Sequence, residues 1–68
     1  MTIYKVIGSN IKELRKNKGL YQRDLAAILG VSHVAVSKWE SGTNKIDVDV
    51  LEAIASYFGI RIGELFIY

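Results

Sequence analysis

Three observations predict an all-α fold for this 68-residue sequence. Apolar residues recur at steps of three and four in the longer segments, glycines close those segments, and there is no proline to break a helix internally. A chain of this length forms one domain, taken as residues 1–68. It buries only about 60% of its unfolded surface, so a second copy would add useful core.

The first helix is marked by Ile7, Ile11 and Leu14, with Ile3 and Tyr4 one to two turns earlier, and Gly19 stops it. In the second, YQRDLAAILG, the residues Leu25, Ile28 and Leu29 share a face with Ala26 beside them, and Gly30 ends it. The fourth, DVDVLEAIASYFG, offers Val48, Leu51, Ile54, Ala55 and Phe58 as an inner face, with Asp47 as N-cap and Gly59 as stop. A short last turn, IGELF, follows.

The third segment, GVSHVAVSKWESG, is ambiguous, because Val31, Val34 and Val36 are β-branched and favour a strand. A lone strand would have no partner for its backbone groups, and every neighbouring segment reads as helix. With Ser32 as N-cap, Val31 and Val36 fall at the two positions of a hydrophobic staple. At about 100° per residue, Val36 and Trp39 define the inner side with Ser32 between them. Val34, Ser37, Lys38 and Ser41 then lie on the outer side, with His33 at its margin. Only GVS joins the second helix to the third, so the two meet steeply and need small residues, which Ala26 and Gly30 supply. Residues 22–41 are therefore expected to form a helix-turn-helix, whose second helix fits the DNA major groove.

The charge distribution agrees with a polyanion partner for one part of the chain. Residues 1–45 carry a net +5 and residues 46–68 a net −3. Other chemistries lack their residues. There is no cysteine, so no disulfide framework or thiolate metal site is expected. His33 is the single histidine and has no carboxylate within a helical turn. Asp47, Asp49 and Glu52 lack the length and glycine of a calcium loop and suit a helix start. No nucleophile–base pair, phosphate-cradling loop or paired carboxylate motif is present, so neither an enzyme nor a cofactor is expected. No run approaches the roughly 18 apolar residues of a membrane span, and no leader pattern opens the chain, so a cytoplasmic protein is expected.

The run IKELRKNKGLYQRDLAAILGVSHVAVSKWESG resembles the Cro/repressor-type, XRE-like helix-turn-helix regulators, and VDVLEAIASYFGIRIGELF is similar to that family's last two helices. The likeness covers nearly the whole chain in one register, including Leu20, Gln22, Leu25 and Ala26 as the family's Leu-x-Gln-x-x-Leu-Ala run. It implies a lambda-repressor-like bundle of five short helices that binds a pseudo-palindromic operator in double-stranded DNA as a homodimer.

Carried over by position, His33, Val34 and Lys38 match base-reading residues, and Ser37 is an additional candidate. Gln22 and Ser32 match phosphate-gripping positions at two helix N-termini, and Thr43 with Lys45 matches a loop along the DNA backbone. Arg23 and Ser41 join these as DNA-backbone candidates. Arg15 and Glu40 match a structural pair tying the first helix to the end of the third. Arg61, Ile62, Glu64, Phe66 and Tyr68 are the candidate dimer interface.

Three departures from the family pattern stand out. Tyr21 occupies a position commonly held by a Ser or Thr cap, which leaves the second helix to Gln22 or water. Ile46 replaces a common proline, which predicts a less rigid loop around Thr43 and Lys45. Arg61 replaces a frequent capping Ser. The alternative to a transcriptional repressor is an antitoxin-like module on the same scaffold, whose main partner is a protein. Such a module should carry aromatic and large apolar anchors on its outer face, whereas this helix offers His33, Val34, Ser37 and Lys38.

Overall fold

A computed structural model describes residues 2–67. Four α-helices run in order, α1 (Ile3–Asn17), α2 (Gln22–Leu29), α3 (His33–Ser41) and α4 (Val48–Phe58). The fifth element is a 3₁₀ helix, Ile62–Phe66, in place of a fifth α-helix. Five residues are too few for an α-helix to satisfy its own termini, and the tighter helix suits such a length.

The elements close around one core. Ile7 and Ile11 of α1, Leu25 and Ala26 of α2, Val36 and Trp39 of α3, and Leu51, Ile54 and Ala55 of α4 are all buried in it. Leu65 completes the core from the 3₁₀ helix and Ile46 from the α3–α4 loop. Burying a side chain the size of Leu65 contributes about 1.5–3 kcal/mol, which holds the short last element in place. Asn10 adds a polar clamp, its side-chain amide donating to the carbonyls of Leu65 at 2.8 Å and Ile67 at 2.7 Å.

α1 packs chiefly on α3, and Gly8 is the reason the two backbones come close. A Cβ there would collide with the carbonyl oxygen of Trp39 and would lie 2.8 Å from that of Glu40. The α2–α3 turn uses a second glycine differently. Gly30 has φ 70°, a left-handed conformation that side chains disfavour, and Val31 N–H closes the turn on the Ala26 carbonyl at 3.0 Å. Ser32 then starts α3, its hydroxyl accepting from Ala35 N–H at 3.1 Å.

Several expectations from the sequence need correction. Ile28 and Val48 were placed on inner faces but are 44% and 63% exposed. Each lies at the end of a short helix, Ile28 one residue before the end of α2 and Val48 at the first position of α4. Ile3, in the first turn of α1, is likewise exposed. Ser32 is exposed rather than turned to the core, because its hydroxyl is held at the helix end. At the start of α2, Asp24 supplies the missing cap, its carboxylate accepting from Tyr21 N–H at 2.8 Å. Ile46 compensates for the absent proline by burying its side chain, so the α3–α4 loop is anchored from within. No helix among the described residues is long and apolar enough to cross a membrane.

Candidate nucleic-acid interface

The outer face of α3 is set by what its inner face does. Val36 is fully buried and Trp39 nearly so, which turns Val34 and Lys38 to solvent and leaves Ser37 half-buried. Val34 is 58% exposed at the second position of the helix. His33 is exposed at the first position, and the sequence placed it only at the margin of this face.

Behind this surface lies a hydrogen-bond relay. Arg15 donates through Nε to Glu40 Oε2 at 2.6 Å and through Nη2 to Glu40 Oε1 at 2.9 Å. Its Nη1 donates to the Leu20 carbonyl at 2.7 Å. Arg15 and Glu40 are only 7% and 9% exposed. The hydrogen bonds that Arg15 donates to Glu40 raise the Arg15 pKa above its ordinary value, burial opposes this, and the Glu40 charge reinforces it. Gln22 Nε2 donates to Glu40 Oε1 at 3.1 Å, and Gln22 Oε1 meets His33 Nε2 at 3.1 Å. The relay thus runs from the α1–α2 loop through a buried ion pair to the first residue of α3. The Arg15–Glu40 pair is the one that the resemblance implies, whereas the link from Gln22 to His33 is not foreseen in the sequence.

The DNA-backbone candidates cluster in two places. Around the start of α2, Arg15, Tyr21, Gln22, Arg23 and His33 line an open recess of about 480 Å³. The Arg23 guanidinium lies over the Tyr21 ring, 4.9 Å from its centre, which orders an otherwise loose cation beside the helix N-terminus. At the other end of α3, the Ser41 and Thr43 hydroxyls share a hydrogen bond of 2.6 Å, and Ser41 also donates to the Lys38 carbonyl at 2.9 Å. Lys45 is exposed on the same loop. Ser32 is exposed between these clusters at the α3 N-terminus.

The proposed dimer residues lie apart from both. Arg61, Glu64 and Phe66 are exposed and Ile62 is half-buried. Glu64 Oε2 accepts from the Arg61 N–H of its own chain at 2.8 Å, capping the 3₁₀ helix in place of the family's serine. Tyr68 lies outside the described residues.

A sequence model of the helix-turn-helix family matches residues 11–65, a span that contains α2, α3 and the whole relay. The chain belongs to the helix-turn-helix family. This helix-turn-helix chain is 36% identical over 60 residues to the antitoxin PezA of Streptococcus pneumoniae, across 88% of its own length and 38% of PezA. It is 42% identical over 55 residues to the transcriptional activator BcrR of Enterococcus faecalis, across 81% of its own length and 27% of BcrR. It therefore spans well under half the length of these two curated relatives. Among solved structures, the restriction-modification controller protein C.AhdI from Aeromonas hydrophila matches with a TM-score of 0.84 at 30% identity, over 93% of this chain and 96% of that one. The helix-turn-helix fold here is that of XRE-like transcriptional regulators.

Proposed function

We propose that this chain binds double-stranded DNA sequence-specifically and regulates transcription in the cytoplasm as a repressor-like homodimer, reading a pseudo-palindromic operator with α3. The observation that carries this reading is the outer face of α3, where His33, Val34 and Lys38 are exposed and Ser37 is half-buried, held on a helix whose other side is locked into the core. Hydrogen-bonding and cationic groups there suit base edges, and Val34 suits a thymine methyl group. Gln22, Arg23 and Ser32 at two helix N-termini, with Ser41, Thr43 and Lys45 on the following loop, flank that face as phosphate contacts.

The homodimer forms through Arg61, Ile62, Glu64, Phe66 and Tyr68, and sets two recognition helices about 34 Å apart, one turn of DNA. A relative named as an antitoxin supports a second reading, in which the same scaffold also binds a protein. Selection of bound sequences from a random duplex library separates the two. The first reading requires a motif with two-fold symmetry. Failure to enrich any motif at low salt favours the second.

A further inference from the structure

Gln22 stands between a buried carboxylate and the first residue of the recognition helix, and the chemistry of the carboxylate fixes everything downstream. Glu40 is bound by the Arg15 guanidinium and is therefore ionised, able only to accept. Its contact with Gln22 at 3.1 Å must be made by the amide nitrogen, because the opposite orientation would set a carbonyl oxygen against a carboxylate oxygen. The amide oxygen then faces His33 Nε2 at 3.1 Å, and it too can only accept. The proton of the neutral imidazole consequently sits on Nε2, and Nδ1 is left as a bare acceptor.

Resting on the reading of α3 as the recognition helix, we propose that His33 reads the exocyclic amino group of adenine or cytosine through Nδ1, with Gln22 as its positioning residue. These amino groups are the hydrogen-bond donors of the major groove. Guanine O6 and N7, thymine O4 and phosphate oxygens are all acceptors and would face the Nδ1 lone pair. Lys38, which can only donate, has the opposite polarity and takes a guanine edge. One helix thereby presents an acceptor at its first position and a donor near its end.

Two measurements test this. Long-range ¹⁵N–¹H NMR spectra of the free protein at mildly alkaline pH report which ring nitrogen carries the proton. The expected result is a single Nε2–H form, which becomes a mixture in Gln22→Leu; an Nδ1–H form in the wild type overturns the proposal. In the second measurement, selected duplexes are compared for wild type and His33→Ala to locate the position that His33 reads. Deleting the exocyclic amino group there should weaken wild type about tenfold and leave His33→Ala unchanged. Replacing a purine N7 by CH should affect neither. Gln22→Leu should lose discrimination at that same position, which loss of a phosphate contact alone would not cause. Sensitivity to N7 instead of the amine, or a selected site with no position dependent on His33, overturns the proposal while DNA reading by α3 stands. If no duplex is selected at all, the proposed function fails and base reading by His33 fails with it, whereas the tautomer is settled separately by the spectrum.

Discussion

Arg15 and Glu40 form a two-pronged buried ion pair that joins the last turn of α1, the domain's longest helix, to the end of α3. Both groups have lost most of their water, and Arg15 finds its remaining partner in the Leu20 carbonyl. Removing one member leaves the other charged and buried. Glu40→Ala should therefore cost about 3–5 kcal/mol in urea unfolding. Replacing both residues by apolar side chains should cost much less than the two single changes together. A loss below about 1 kcal/mol for Glu40→Ala would be the behaviour of a solvent-screened surface pair.

Gly8 offers an independent stability test. Its missing Cβ is what lets α1 lie against the Trp39 and Glu40 carbonyls. Although alanine is the better helix former by roughly 1 kcal/mol, Gly8→Ala should destabilise the protein by about 1–3 kcal/mol, because backbone cannot move aside as a side chain can. A gain in stability would mean that the helices are farther apart than described.

Much of this fold could be read from residue order, because period and punctuation are local properties. Ile7, Ile11, Leu25, Val36, Trp39, Leu51 and Ile54 lie in the core as their spacing predicts, and Gly30 and Ser32 set the turn and cap between α2 and α3. Ile28 and Val48 differ from their spacing because period gives the direction of a face, whereas both residues lie at helix ends and stay exposed. Gly8 had a usable signal, a glycine inside an otherwise apolar-periodic helix, which commonly marks close backbone approach. The clamp from Asn10 and the contact between Gln22 and His33 span 55 and 11 residues of sequence, and no local pattern encodes such pairs.

Lys45 reports on how the DNA backbone is held. It is exposed on the loop after α3, in the part of the chain with net positive charge. Lys45→Ala should weaken binding to all duplexes about equally and reduce the slope of log affinity against log salt by about 1. A loss confined to particular sequences, with an unchanged slope, would make Lys45 a base-reading residue instead.

Association can be checked without an operator in hand. Phe66 and Ile67 remain exposed at the end of the chain next to the half-buried Ile62, an apolar surface that a second copy would cover. Sedimentation should show a homodimer, and Phe66→Asp should shift it toward monomer while helical content is kept. A wild-type monomer both free and on DNA would rule out the two-fold arrangement.

Val34 provides the most direct test of whether the outer face of α3 reads sequence. Its methyl groups stand in water on the free protein, and a thymine C5-methyl is the major-groove feature that they can contact without hydrogen bonds. Replacing each thymine of the selected site by deoxyuridine, one position at a time, removes only that methyl group. Wild-type binding should weaken at one position per half-site, and Val34→Ala should abolish most of the difference there. If wild type and Val34→Ala respond alike at every thymine, the outer face of α3 does not read thymine through Val34, and Val34 is a packing residue.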